Sequence, residues 1–176
     1  MAQFPMTTVG GVKLSRMIAG TNWMLGYSHT SAAKDRFIRE SQTSKSVGAI
    51  LEVFLRHGIN AVMGMPVPLL QNAVKIAQDR TGRKMHLIMT PHFNITPGGP
   101  PESEPERVFD HCRKMGATFC FPHQCVTDRL IDLMQGRIRD IDRYTKMIRE
   151  RGMVPGLSTH MPETPVVADK SGADVE

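Results

Sequence analysis

The sequence predicts an α/β protein, specifically a (β/α) barrel of the TIM type. It supplies the first five of eight strand–helix units, preceded by a small β-hairpin. Short apolar segments alternate with helical patterns at a spacing of roughly 30 residues, which is typical of βαβ units and a parallel sheet. No glycine-rich phosphate loop follows the first strand, although an open doubly wound sheet would favour one. Polar residues end the strands, where barrel enzymes place their active sites.

The length of 176 residues allows one domain with a buried core. A closed barrel typically needs about 250 residues. We therefore expect residues 1–176 to form a single, partial barrel domain and to be the N-terminal part of a longer protein. The open edges of the sheet would be covered by a missing C-terminal half or by a second copy in a homo-oligomer.

The elements follow from local patterns along the chain. Residues 1–14 contain the hairpin, with Gly10-Gly11 at its turn, and residues 16–21 are the first strand. Residues 25–44 are polar and are expected to be irregular. The other strands are predicted at residues 59–63, 84–89, 118–121 and 154–158, with a further strand starting at 174–176. The helices are predicted at residues 47–57, 69–80, 103–115, 127–135, 137–151 and 162–169.

Capping signals mark several helix ends. The segment Ser103-Glu-Pro-Glu106 fits a capping box, in which a serine and a glutamate satisfy exposed amides reciprocally. Asp128 and Glu163 lie near predicted helix starts, where N-terminal capping is the favoured role and ligation or orientation of a ligand is the alternative. Glycines follow four of the helices: Gly58, Gly82, Gly116 and Gly152.

Composition excludes several classes of function. The net charge is +5, but basic and acidic residues alternate, as in Arg137–Arg143, so we expect no nucleic-acid binding. Three cysteines without a CxxC pair indicate neither a disulfide framework nor a zinc knuckle. No apolar run is long enough to span a membrane and no leader opens the chain, so we expect no membrane partner and a cytoplasmic location.

Three histidines end neighbouring predicted strands. His92 follows the third strand, His123 the fourth and His160 the fifth. Because these strand ends meet on one rim of a barrel, we expect the three imidazoles to lie in one pocket. Imidazole serves as a general acid or base near neutral pH, and three neutral imidazoles with water make a workable catalytic zinc site. The sequence therefore predicts all three as catalytic residues and as ligands of a divalent metal such as zinc. The alternative for each is a loop histidine that caps a helix or bonds a backbone carbonyl.

Four further side chains are predicted to contact the substrate. Asn22 ends the first strand, His29 lies in a loop over the same rim, and Met63 gives the pocket an apolar side. Cys125 shares a short extended segment with His123, which places both on one side. Its thiol is either a nucleophile activated by histidine or a small buried side chain.

Two stretches resemble the aldo/keto reductases. They are Leu14-Ser-Arg-Met-Ile-Ala-Gly-Thr21, which follows the hairpin, and Arg56-His-Gly-Ile-Asn60. The run from Leu14 to Ser31, with Gly26-Tyr-Ser-His-Thr-Ser31, also resembles a group of poorly characterised barrel proteins placed beside those reductases. The resemblance implies the barrel fold.

Of the four catalytic residues of the reductases, one has a counterpart in this sequence. Their aspartate falls near Met63, their tyrosine is missing between residues 64 and 70, and their lysine falls near Pro91 or His92. Their histidine matches His123. The resemblance thus implies an NADP-dependent oxidoreductase as an alternative function.

The sequence as a whole predicts an enzyme that acts on a small substrate bearing a carbonyl or hydroxyl group. The chemistry is acid/base catalysis by histidine or metal-assisted catalysis. The alternatives are the oxidoreductase and a non-catalytic binding protein derived from a barrel.

Overall fold

A computed structural model describes residues 4–93 and 105–176. This part of the chain holds eight helices and a five-stranded parallel sheet, which confirms the predicted α/β class. The strands are β1 Met6–Val9, β2 Val12–Ser15, β3 Ala19–Gly20, β4 Ala61–Gly64, β5 His86–Met89, β6 Ala117–Cys120, β7 Ile131–Asp132, β8 Arg137–Ile138 and β9 Val154–Pro155. The helices are α1 Asn22–Leu25, α2 Ala32–Ser41, α3 Ser44–Arg56, α4 Pro68–Thr81, α5 Pro105–Lys114, α6 Gln124–Leu130, α7 Ile141–Glu150 and α8 Glu163–Ser171.

The sheet has the strand order β3-β4-β5-β6-β9. Two antiparallel pairs, β1-β2 and β7-β8, lie outside it. The chain also divides into two compact units, one ending at Ile88 and the other beginning at Met89. No helix among the described residues is long and apolar enough to cross a membrane.

The predicted hairpin is confirmed as β1 paired with β2. Val9 lies opposite Val12, so the turn consists of Gly10 and Gly11 alone. Their φ angles are +52° and +76°. A two-residue type I′ turn needs positive φ at both positions, which is why glycine is favoured there.

In the first unit, α3 packs against α4 beside the parallel pair β3-β4. Val47, Leu51 and Leu55 recur at helical spacing along α3 and are completely or almost completely buried. Thr43 and Ser46 form a capping box at its start. Helices α3 and α4 and strands β4 and β5 lie within a few residues of their predicted positions.

The prediction that residues 25–44 are irregular is wrong, because α2 fills much of this segment. The Ser31 side chain accepts a hydrogen bond from the Lys34 amide and starts the helix. Ile38 is its buried residue, whereas Phe37 is 68% exposed. Because α2 is polar as a whole and buries a single residue, its sequence reads as a polar connecting segment.

In the second unit, α5 and α7 pack with β6 and β9. Helix α7 buries Ile141, Tyr144 and Ile148, as its spacing predicts. The predicted start after Gly136 is wrong, because residues 137 and 138 form strand β8. Ser103 of the predicted capping box and the predicted loop 94–101 lie outside the described residues.

The predicted helix at residues 127–135 is wrong in position. Helix α6 begins at Gln124, because the His123 side chain caps it by accepting the Cys125 amide. The chain then forms the hairpin β7-β8, in which Ile131 pairs with Ile138. Met134, predicted on the apolar side of a helix, is 96% exposed in the turn.

Residues 174–176 do not form the predicted strand. Glu176 nevertheless donates its backbone N–H to the Pro155 carbonyl of β9, at 3.3 Å. Asp174 forms an ion pair with Arg149 of α7, with 2.6 Å between nitrogen and oxygen. These contacts hold the segment against β9 and α7 within the second unit.

Candidate active site

His92 and His123 are brought together because the segments after β5 and β6 continue to pair. The Phe121 amide donates to the Met89 carbonyl at 2.9 Å, and the His123 amide donates to the Pro91 carbonyl at 3.0 Å. The two imidazole centroids are 4.1 Å apart, with the rings inclined at 76°. The predicted neighbours thus form an edge-to-face pair.

Phe93 anchors the segment that carries His92. Its side chain is 2% exposed and makes edge-on contacts with Phe109 of α5 at 5.4 Å and with Tyr144 of α7 at 5.0 Å, between centroids. Because the Phe93 side chain is fixed in the core, the position of His92 just before it is fixed as well. His92 itself is exposed to solvent.

Cys125 fixes the orientation of the His123 ring. His123 Nδ1 lies 2.9 Å from Cys125 Sγ and accepts the Cys125 backbone N–H at 3.3 Å. A backbone N–H can only donate, so Nδ1 is the unprotonated nitrogen of the neutral ring. Nε2 then carries the proton and is the donor available to a substrate oxygen.

Both imidazoles favour the neutral form. Burial lowers the pKa of His123 to about 4. Repulsion from His92 and His160 in their protonated forms adds to that effect, while the Asp128 carboxylate partly opposes it. Partial withdrawal of the imidazole ring from water also lowers the pKa of His92, although the residue as a whole is exposed. Each ring therefore keeps an unprotonated nitrogen at neutral pH.

The Cys125 sulfur is a thiol under the same conditions. Burial raises the pKa of the Cys125 thiol, and the partial opposition of backbone amides and Arg129 does not reverse the shift. Of the two predicted roles, a half-buried neutral thiol fits this environment better than a thiolate activated by histidine.

Asp128 ties the loop after β9 to helix α6. Its carboxylate accepts hydrogen bonds from the Thr159 hydroxyl, at 2.5 Å, and from the His160 backbone N–H, at 3.1 Å. The predicted capping role is wrong for Asp128, which lies inside α6. It is also wrong for Glu163, because Pro162 occupies the cap position of α8 and Glu163 is its first residue.

Three potential ligand atoms cluster at the site. Among the described residues, one atom each from His92, His123 and Cys125 lies within 4.8 Å of the other two. His160, predicted as the third ligand, is exposed and lies outside that group, with its backbone held by Asp128. Among the described residues, the third member of this ligand group is therefore Cys125 and not the predicted His160.

Comparison with known proteins does not place the chain in a family. The sequence matches no protein-family model and no curated protein. The proposal for its function therefore depends on the chemistry of the site.

The other predicted substrate contacts lie in the first unit. Asn22 Nδ2 is 3.0 Å from His29 Nε2, so these two residues do meet. His29 has a φ angle of +57°, which is uncommon for a residue with a side chain. Met63 pairs with Gly20 in the β3-β4 ladder, and its carbonyl accepts the Thr21 hydroxyl at 2.8 Å. Substrate contact by these residues stays a prediction.

Two supporting features were missed by sequence reasoning. One is the contact of Asp128 with Thr159 and His160, which spans more than thirty positions and leaves no local signal. The other is Gly156, which lies directly against the Phe121 ring. Gly156 lies within the predicted strand 154–158, but the sequence did not indicate that Phe121 would be its partner.

Proposed function

We propose that the protein is an enzyme with barrel architecture that removes a proton from a small substrate beside a carbonyl or hydroxyl oxygen. His92 and His123 are its catalytic residues. The observation that carries the proposal is the 4.1 Å contact between their rings at two neighbouring strand ends. Active sites of parallel α/β proteins lie at such carboxyl ends of strands.

The strand order supports a barrel. In a doubly wound sheet the order reverses at a switch point. Here every strand of the parallel sheet lies beside the one that precedes it in the sheet, from β3 to β9 without reversal. That sequential winding is the pattern of a (β/α) barrel.

The two imidazoles offer complementary groups. Nε2–H of His123 can donate to the substrate oxygen, and an unprotonated nitrogen of His92 can accept the proton that leaves the adjacent carbon or hydroxyl. A neutral imidazole that polarises a carbonyl is an established catalytic arrangement. The same lone pairs could instead hold a divalent ion, which would supply Lewis-acid chemistry and acidify a bound water. Both routes need His92 and His123.

Proton exchange with solvent tests the proposal without a known product. Small hydroxycarbonyl compounds would be incubated with the protein in heavy water, and deuterium uptake beside the carbonyl followed by NMR. We expect catalysed exchange that falls by about 10²- to 10⁴-fold in His123→Ala and in His92→Ala. His111→Ala, an exposed site on α5, is the matched control.

Two results would contradict the proposal. One is an exchange rate in His123→Ala equal to that of the unaltered protein. The other is the same loss in the His111→Ala control, which would indicate a general effect on the fold.

A further inference from the structure

We infer that His92, His123 and Cys125 bind a zinc-class divalent ion, which leaves one coordination position open for water or for the substrate oxygen. The ligand set differs from the three histidines that the sequence predicts, because it takes Cys125 in place of His160. The proposal that an ion binds here is independent of the proposed function, whereas a role of that ion in catalysis rests on the proposed function.

The separations of the ligand atoms fit such an ion. Tetrahedral zinc, with bonds of about 2.1 Å to nitrogen and 2.3 Å to sulfur, holds its ligand atoms roughly 3.4 to 3.6 Å apart. His123 Nδ1 and Cys125 Sγ are now 2.9 Å apart, and no pair in the group exceeds 4.8 Å. Shifts of about 1 Å would bring the three atoms to these spacings. His92 is exposed, so its ring has room to turn.

The chemistry of the donors selects the class of ion. Imidazole and thiolate together favour zinc and related transition metals, whereas magnesium and calcium prefer oxygen ligands. Three protein ligands with a fourth position open is the arrangement of catalytic zinc sites, including those with histidine and cysteine ligands. The exposure of His92 provides solvent access to that position.

Binding has a defined proton balance. The Cys125 S–H bond breaks, its proton passes to solvent, and the sulfur forms a bond to the ion. The Cys125 amide then loses His123 Nδ1 as its acceptor if that nitrogen becomes the ligand. A bound ion would lower the pKa of a water molecule at the open position and so would supply a base there, with His92 then serving as a ligand.

Metal titration of the full chain tests the inference. Chelator-treated protein would be titrated with zinc by calorimetry and with cobalt by absorption. We expect one ion per chain and a near-ultraviolet band from cobalt–thiolate charge transfer. Cys125→Ser should lose that band, and Cys125→Ser, His92→Ala and His123→Ala should each bind zinc at least about tenfold more weakly. His160→Ala and His111→Ala should bind as the unaltered protein does.

Several outcomes would overturn the inference. They are no zinc binding by the unaltered chain, cobalt binding without a thiolate band, or a His160→Ala variant as weak as Cys125→Ser. The cobalt spectrum of the unaltered protein needs no variant, so a misfolded variant does not decide the result.

The solvent-exchange assay separates the two proposals. Zinc binding with no exchange for any compound would reject the proposed function and keep the metal site. Full exchange by protein shown to be free of metal would keep the function and reject the ion's catalytic part. We expect exchange to fall at least tenfold on metal removal and to return with added zinc.

Discussion

Single residues decide the state of the candidate site. His123 is constrained by the pairing of its backbone with Pro91, by the ring of His92 and by the amide of Cys125. The same surroundings withdraw the ring from water, which lowers its pKa. The packing around His123 therefore determines both the position of its ring and its neutral protonation state.

The first prediction concerns the stability of metal-free protein in mild acid. The His123 pKa is about 4 in the folded chain and about 6.5 in the unfolded chain, so below pH 6.5 the unfolded state binds more protons. The free energy of unfolding should fall as the pH drops from 6.5 towards 4 and should not change through this group above 6.5. Urea denaturation at a series of pH values measures it.

The comparison variant for this prediction is His123→Asn, which should show a shallower loss of stability. Carboxylates such as Asp35, whose pKa is lowered below the ordinary 3.8 by hydrogen bonds from Ser28, act only in stronger acid. Equal slopes above pH 5 in the two proteins would contradict the assignment.

The second prediction concerns Gly156. A Cβ added there would lie 2.7 Å from Cζ of Phe121 and closer to other atoms of that ring. Gly156→Ala should therefore lower the free energy of unfolding by about 1–3 kcal/mol through overpacking, and it should disturb His123 two residues after the ring. Chemical denaturation gives the first effect, and the histidine NMR signals give the second.

A matched glycine is available as a control for this substitution. At Gly20, a strand residue of β3, an added Cβ meets no atom within 4 Å. Gly20→Ala should leave stability nearly unchanged. If both variants lost the same stability, the contact with Phe121 would not be the cause.

At the scale of elements, the sequence is most informative where one face of a helix is buried. Helix α7 buries a regular apolar stripe, and its predicted end is within one residue of the observed one, although its start is four residues later than predicted. Helix α2 depends on a cap and few buried contacts, and α6 depends on a histidine cap, so neither start follows from hydrophobic spacing. The β7-β8 hairpin was missed because Leu130, Ile131 and Met134 mimic a helical period.

The third prediction concerns the contribution of the Ser31 cap of α2 to the stability of the protein. Ser31→Ala removes the acceptor for the Lys34 amide and should cost about 1 kcal/mol of stability. Ser31→Asp keeps an acceptor at the cap and should retain most of it. Thermal or urea unfolding compares the three proteins; an aspartate variant as weak as the alanine variant would argue against capping.

The fourth prediction concerns the buried face of α7. Ile148 is fully buried, so Ile148→Ala should lower the free energy of unfolding by about 2–5 kcal/mol through lost burial and a cavity. Lys146→Ala, on the exposed face of the same helix, should change it by no more than about 0.5 kcal/mol. Equal losses, measured by urea denaturation, would contradict the assigned face.

At the scale of the whole molecule, the informative properties are strand order and charge. The uninterrupted order from β3 to β9 supports the proposed barrel. The net charge of +5 comes from 22 basic and 17 acidic residues spread along the chain. Basic and acidic residues alternate along the sequence, a pattern that predicts a solvated surface and no nucleic-acid binding.

The fifth prediction follows from that charge pattern. At physiological salt we expect binding to duplex DNA no tighter than the non-specific range of about 10⁻⁴ to 10⁻⁶ M. Fluorescence anisotropy with a labelled duplex measures it, and repeating the titration at several salt concentrations is the control. Tighter binding with a steep salt dependence would show a basic surface that the alternation conceals.

The sequence alone determined the α/β class, the N-terminal hairpin and the helices α3, α4 and α7. These follow from turn residues and hydrophobic period, which act over a few neighbouring positions. It also placed His92 and His123 at strand ends, since each follows an apolar run directly.

Only the tertiary structure decided which side chains meet at the site. Cys125 joins His92 and His123 in one cluster, whereas His160, whose backbone amide donates to Asp128, lies outside that cluster. That choice depends on strand pairing and on contacts between residues far apart in the chain. Such contacts are set by packing and leave no periodic trace in the sequence.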